Sequence, residues 1–255
     1  MRLPDGYRLI SLETVDSTNS EARKMAQSGE KASLNKTVVW SLCQTGGQGR
    51  RGRDWVSPVG NLYCSTLLYL DLPAKEVSLL SFVVALAVHD TVTELLPQAK
   101  PEQVSCKWPN DVLIDDKKIS GILLESSGLG VNNPEWIVMG VGLNVLSSPS
   151  NTPYPATSLS QEGADGTLEV VLERFITNLD HRLSMWSKQG FPIIRTEWLD
   201  RARGLGDDIT VNLGNETLHG VFSGLDGEGA LILDQAGTKR RITAGEVFPV
   251  QSNLR

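Results

Sequence analysis

Hydrophobic and polar positions change rhythm several times along the chain, and each change marks an element. Tyr7–Glu13 sets Leu9 and Leu12 among polar neighbours and predicts a strand. Asp16-Ser17-Thr18-Asn19 breaks that alternation. Thr18 followed by Glu21 has capping-box spacing, so a short helix should run to about Gly29. Thr37–Cys43 (TVVWSLC) is rich in β-branched residues and bounded by turn formers, as a buried strand is. Asn61–Leu70 (NLYCSTLLYL) predicts a second long strand. Glu76–Leu96 is apolar on nearly every face and stops at Pro97, the pattern of a helix buried all round. Val104–Trp108, Val112–Asp115 and Ile119–Glu125 read as strands, with Asp115-Asp116-Lys117-Lys118 as a hairpin turn. Trp136–Val145 is another central strand, loosened by Gly140 and Gly142. Ser147–Ser160, rich in Ser, Pro, Asn and Thr, predicts a surface loop.

The rhythm then becomes helical. Leu168, Val171, Leu172, Phe175, Leu179, Leu183 and Trp186 form a stripe at i, i+3, i+4 spacing that Gly190 ends. Ile193–Ala202 predicts a shorter helix stopped by Gly204. Beyond it come short strands at Ile209–Leu213, Leu218–Leu225, Ala230–Asp234 and Lys239–Thr243, separated by glycine-bearing turns. Such spacing suggests a small β-barrel. The expected division is a unit at residues 1–204 and a β unit at 205–255.

The chain has 255 residues, with 40% hydrophobic and 21% charged, ordinary for a soluble globular protein. Its net charge of −6 argues against coating nucleic acid electrostatically. Cys43, Cys64 and Cys106 are an odd number without a C-x-x-C pair, which fits neither a disulfide framework nor a zinc site. Free thiols suit a reducing cytoplasm. The three histidines are scattered, so no metal ligand set is predicted, and His89 reads as packed inside its helix. No stretch reads as a signal peptide. The longest apolar run, Leu79–Val88, is too short to span a bilayer.

Against this acidic background, residues 44–58 read QTGGQGRRGRDWVSP. Glycines let the backbone approach a ligand, successive N–H groups can cradle an anion, and arginine offers a fork suited to phosphate. Alone, the loop fits a phosphate clamp and a solvated surface loop equally; an RGG-like nucleic-acid contact is a third reading. It matches neither the P-loop nor the dinucleotide fingerprint. A second constellation is Lys107-Trp108-Pro109-Asn110-Asp111, followed by Lys118 and Gly121. Alone it reads as an Asx-bonded turn beside a solvated lysine. Together with the loop it supplies the parts of adenylate chemistry: cations to neutralise phosphates, and a carboxylate to hold Mg²⁺ or take a proton.

Four stretches resemble one family. GGQGRRGRDWVSP is similar to the glycine–arginine signature of biotin protein ligases, KWPNDVLIDDKKISGILLES to its second signature, VDSTNSEA to its N-terminal one, and WIVMGVGLNV to a core strand. The matches come in the family's order and span most of the chain. The resemblance implies an α+β fold: a mixed β-sheet with packed helices, class II synthetase-like, then an SH3-like barrel. It implies ATP, biotin and Mg²⁺ as ligands, and activation of biotin as biotinyl-5′-adenylate. Transfer to a lysine of a biotin carboxyl carrier domain, as in acetyl-CoA carboxylase, would follow.

Roles carry over position by position. The resemblance places Ser17, Thr18, Asn19 and Gln44 at biotin, and Gly47, Gln48, Gly49 and Arg50 in the loop that closes over the adenylate. It places Lys118 at the reacting carboxylate and phosphate, Lys107 as a further phosphate-side cation, and Asp111 as a carboxylate that helps the acceptor amine lose its proton. Gly121 meets the ligand by its backbone, and Asn144 is an adenylate-side polar residue. No protein metal ligands are assigned. Gln48 departs from the family pattern, where arginine is common. The chain starts close to the first motif, so an N-terminal DNA-binding domain and repressor activity are not expected. The competing readings are a lipoate ligase, a nucleic-acid binder using Arg50, Arg51 and Arg53, and a structural interaction module. Neither nucleic acid nor membrane is an expected partner; a homodimer stays open.

Overall fold

The computed structural model describes residues 1–28, 31–97, 103–127, 133–150, 152 and 154–249. The predicted helix end at Gly29, positions 151 and 153 of the predicted loop, and residues 250–255 of the expected β unit lie outside them. In chain order the elements are β1 (Arg8–Val15), α1 (Thr18–Ser28), α2 (Lys31–Leu34), β2 (Thr37–Gln44), β3 (Leu62–Leu68), α3 (Ala74–Val77) and α4 (Leu80–Leu95). Then follow β4 (Val104–Lys107), β5 (Asp111–Ile114), β6 (Lys117–Ser126), β7 (Ile137–Leu143), α5 (Leu168–Gln189) and α6 (Phe191–Leu199). The last five are strands β8 (Asp208–Asn212), β9 (Thr217–Leu225), β10 (Leu231–Gln235), β11 (Thr238–Ile242) and β12 (Glu246–Pro249).

Seven strands form one mixed sheet in the order β1-β2-β3-β7-β6-β5-β4, parallel at β1–β2 and antiparallel elsewhere. Alternation along each strand divides its two faces. Val38, Trp40, Ile137, Met139 and Val141 join the large core with α4 and α5. Val39, Leu67 and Val138 point the other way and pack with Ala22 of α1. The α1 face is only partly covered by helix, and that leaves room for a site.

Helix α4 lies inside the large core, as its all-round apolar sequence requires. Phe82 meets Trp198 of α6 edge-on, with ring centroids 5.2 Å apart. His89 is buried with Nε2 3.2 Å from the Val104 carbonyl, the packed role expected of it. Ala74–Leu95 is long and apolar enough to cross a membrane, contrary to the reading from Leu79–Val88. However, 72% of its most apolar window is buried in the fold. Burial pushes the Cys64 and Cys106 thiols up to about 12, and all three cysteines are free.

The predicted hairpin turn is a two-residue loop, Asp115-Asp116, with Ile114 paired to Lys117. Both turn residues have positive φ, 45° and 64°, as a type I′ turn demands. Thr18 does not cap α1 with its side chain: its hydroxyl bonds Gln44 instead. The predicted surface loop after β7 is only partly on the surface, because Thr157, Ser158 and Leu159 are buried. Five C-terminal strands form an antiparallel sheet, β11-β10-β9-β8-β12, of the expected SH3-like class. Its last strand, β12, was not predicted: the four residues after Gly245, the last of them a proline, carry too little alternation to show.

A buried charge cluster ties the helical layer together. Arg182 of α5 donates to Asp90 of α4 at 2.7 Å and to Glu197 of α6 at 2.5 Å. Its side chain is 6% exposed. Removing one partner of such a cluster strands the other charges. Arg182→Met should therefore destabilise the fold by about 3 kcal/mol, read as a lowered urea midpoint with an unchanged slope.

Candidate active site

The site begins with backbone. Gly140 and Gly142 lie two residues apart on β7, and Gly121 of β6 pairs with Gly142. The three leave a strip of the α1-side face without side chains. A Cβ at Gly140 would lie 2.1 Å from Asn19 Oδ1, and one at Gly142 would lie 2.4 Å from the Trp55 indole nitrogen. A Cβ at Gly121 would lie 2.9 Å from the same indole. Asn19 and Trp55 are thus seated on the strip, and no other residue type fits beneath them.

One end of the strip is neutral and polar. Gln44 Oε1 accepts the Thr18 N–H at 2.8 Å and the Thr18 hydroxyl at 3.1 Å. Ser65 Oγ lies 2.6 Å from Asn19 Oδ1 and 2.8 Å from Thr18 Oγ1, and its single proton goes to one of them. Asn19 Nδ2 donates to Glu125 at 2.9 Å. Gln44 Nε2 donates to Ser57 Oγ at 2.9 Å, and Ser57 donates to the Trp55 carbonyl at 2.8 Å. The network fixes each rotamer in the wall, which is what a selective polar surface needs.

The other end is cationic. Lys118 Nζ sits 2.6 Å from Asp111 and 5.3 Å from the centre of the Trp55 ring. Lys107 Nζ lies 4.9 Å from the centre of Tyr154 and 5.2 Å from that of Phe248. Those two rings are stacked at 5.0 Å. Burial pushes the Lys107 ammonium below the usual lysine range; Asp111 opposes this, while Lys118 and Arg53 reinforce it. Arg50 donates to Asn110 Oδ1 at 3.0 Å. Its guanidinium is lowered by burial first and by Arg51 and Arg53 next, Asp111 opposing. Lys118 is ion-paired to Asp111 while Arg50 and Lys107 feel the same carboxylate's charge, a surplus of cations that an anion would relieve.

The glycine–arginine loop covers this end as a folded flap. Trp55 N–H donates to Gly47 O at 2.9 Å and Gly49 N–H to Arg53 O at 2.7 Å, and Gln48 bridges Asp54. Arg51 has φ 58° and Gly52 φ 70°, two left-handed residues in a row that reverse the chain. Arg51 and Arg53 both turn to Glu246 of β12, Arg51 at 4.0 Å and Arg53 in close contact. All three arginines line the cavity, and Arg50 is the one that bonds Asn110.

These walls enclose a cavity of about 530 Å³. Ser17, Thr18, Asn19, Gln44, Gln48, Gly49, Arg50, Lys107, Asp111, Lys118, Gly121 and Asn144 all line it. Gly47 does not. It packs behind the flap, where a Cβ would lie 2.5 Å from the Trp55 carbonyl. Asn144 is buried and donates to Thr157 O at 2.9 Å. Sequence reasoning missed Ser65, Tyr154, Glu246 and Phe248. Ser65 was visible as a hydroxyl inside a buried strand. The other three carry no local signal. Among the described residues, no group of three His, Cys, Asp or Glu could hold a metal ion.

Residues 12–144 match the Biotin/lipoate A/B protein ligase family. The chain belongs to that family. Residues 204–248 match the biotin protein ligase C-terminal domain. The biotin–[acetyl-CoA-carboxylase] ligase of Paracoccus denitrificans is 38% identical over 93% of this chain and 98% of its own length. The bifunctional ligase/repressor of Bacillus subtilis is 30% identical over 95% of this chain and 74% of its own. The solved biotin protein ligase of Aquifex aeolicus, in complex with biotin and ATP, superposes with a TM-score of 0.78. It is 28% identical and the match covers 94% and 97% of the two chains. The mixed sheet with helices and the antiparallel C-terminal unit are therefore the architecture of biotin protein ligases in this family.

The flap's hold on β12 can be tested without any ligand. Glu246→Gln should free Arg51 and Arg53, so trypsin should cut the loop faster than in the parent. Equal cleavage rates would show that Glu246 does not restrain it.

Proposed function

We propose that this chain is a biotin protein ligase that makes biotinyl-5′-adenylate from biotin and ATP and passes the biotin to a lysine of a carboxyl carrier domain. One observation carries the reading: the cavity is bipolar. A neutral wall of donors and acceptors stands at one end of the glycine strip, and a cation cluster stands at the other. Biotin has matching halves, a ureido ring that both donates and accepts, and a carboxylate that becomes an acyl phosphate.

In this reading Ser17, Thr18, Asn19 and Gln44 hold the ureido end. Lys118, with Arg50 and Lys107, faces the carboxylate and the α-phosphate. The biotin carboxylate oxygen bonds to the α-phosphorus while the bond to pyrophosphate breaks. Charge grows on the phosphoryl oxygens, and fixed cations stabilise it without reorganising. Gly121 lets the ligand approach the sheet backbone, and Asn144 serves the nucleotide side. Gly47, Gln48, Gly49 and Arg50 form the cover that keeps water from the mixed anhydride. The acceptor amine then attacks the acyl carbon, AMP leaves, and Asp111 takes the amine's proton. When bound, Mg²⁺ would supply charge neutralisation at the nucleotide phosphates. Asp111 and Glu246 are already in ion pairs, so the phosphates themselves would supply much of its coordination.

Residues 1–204 act as the catalytic unit and 205–255 as the barrel. Positive-φ glycines at 204 and 206, suited to a turn between units, support that division. The barrel's part is to brace the flap through Glu246 and to hold Lys107 through Phe248. Arg51 and Arg53 are exposed but paired with Glu246, and a net charge of −6 argues against a nucleic-acid partner. A reducing compartment, the cytoplasm, keeps the three thiols free.

The deciding experiment is transfer of labelled biotin to a carrier domain with ATP, with lipoate as competitor. Pyrophosphate release and biotin transfer are the expected result; transfer of lipoate alone would sink the reading. Lys118→Ala should slow single-turnover adenylation by about 10²–10³-fold with biotin binding retained. Arg50→Gly should loosen the cover, so adenylate escapes and labels lysines of bystander proteins. Unchanged bystander labelling would remove Arg50 from that role.

A further inference from the structure

The segment after β7 reaches the site by adding itself to the first residues of β6. Lys118 N–H donates to Pro155 O at 2.8 Å, and Thr157 N–H donates to Lys118 O at 2.9 Å. This isolated parallel bridge pairs Lys118 with Ala156. The residue assigned to the reacting centre is therefore also the anchor of the wall that carries Tyr154. Past Thr157 the segment turns to other partners, Leu159 N–H donating to Asn144 O at 3.1 Å and Ser160 N–H to Val145 O at 2.9 Å, so these two bonds alone tie it to Lys118 by backbone among the described residues. Glu162 supplements them from outside the cavity. Its Oε1 accepts the Thr157 hydroxyl at 2.5 Å and also pairs with the Lys117 ammonium. One carboxylate oxygen thus grips the residue before Lys118 and the residue after Ala156. Burial alone would raise the Glu162 carboxyl, but the bonds from Lys117 and Thr157 outweigh it and hold the group below its usual range.

We infer that Glu162 is a positioning residue for the nucleotide half of the site, fixing Lys118 and the Tyr154–Ala156 wall in one register while touching no ligand itself. The inference rests on the adenylation reading above. Tyr154 stacks on Phe248 with Lys107 against both rings, so a wall that slips takes Lys107 with it. The ureido wall stands on other elements, α1 and the end of β2, and is untouched. Loss of Glu162 should therefore weaken nucleotide binding and spare biotin binding.

The test compares Glu162→Gln, Lys117→Met and Thr157→Val in the full chain. Hydrogen exchange at the Lys118 and Thr157 amides is measured without ligand, and KM for ATP and for biotin by pyrophosphate release. Faster exchange at both amides is expected in Glu162→Gln. A rise in ATP KM of about tenfold with biotin KM within about twofold should accompany it. The two single-partner variants should each show part of the effect, and they carry the test if Glu162→Gln does not fold. Faster exchange with an unchanged ATP KM would reduce Glu162 to a structural residue and overturn the inference. An equal rise in both KM values would do the same, and unchanged exchange overturns it whatever the kinetics. A parent chain that releases no pyrophosphate from biotin and ATP sinks the adenylation reading instead, a result visible before any variant is made.

Discussion

The site depends on a strip of sheet that carries no side chains. On the opposite face the same strands present Ile137, Met139 and Val141, the bulky residues that fill a core. On the α1 face Gly140, Gly142 and Gly121 present bare backbone. Each glycine in a strand costs roughly 0.5–1 kcal/mol relative to alanine. The cost is borne because β7 is paired on both sides, by β3 and by β6, and packed underneath. What the strip gains is depth. Asn19 and Trp55 come within 2.1 Å and 2.4 Å of where methyl groups would be. A neutral wall and a cation cluster can then face one cavity across a few residues of strand.

The electrostatics of the two ends follow from different rules. The polar wall is satisfied internally, Thr18 to Gln44 to Ser57, so its rotamers are set before a ligand arrives. The cationic end carries an excess of positive charge. Lys118 pairs with Asp111, Arg50 and Lys107 feel that carboxylate's charge, and the Lys107 ammonium is already pushed down by burial first and by Lys118 and Arg53 next. An acidic chain thus keeps a small region of positive potential, suited to one phosphate group rather than to a polyanion.

Local rhythm made most of the elements legible. The stripe from Leu168 to Trp186 became α5, and TVVWSLC became β2. The motif residues were legible because they are contiguous in sequence, and the fold brings Lys107, Asp111 and Lys118 together through two adjacent hairpins. What escaped was non-local. Thr18 looked like a cap because Glu21 follows at the right spacing. Only the approach of Gln44 and Ser65 explains why its hydroxyl turns away. The Ser147–Ser160 stretch is polar by composition, yet Thr157–Leu159 is buried because it pairs beside Lys118. Glu246 and Phe248 lie in a strand of four residues, and nothing near them in sequence announces Arg51, Arg53 or Tyr154 as neighbours.

The position of Glu246 in the chain has a consequence for synthesis. The flap leaves the ribosome early, with the residues that follow β2, but its brace arrives only with β12. Until then Arg51 and Arg53 lack Glu246, and Lys107 lacks Phe248. A nascent chain can assemble the sheet and the glycine strip while its cover stays unlatched. The order of translation thereby delays a closed site until β12 has emerged, long after the flap itself.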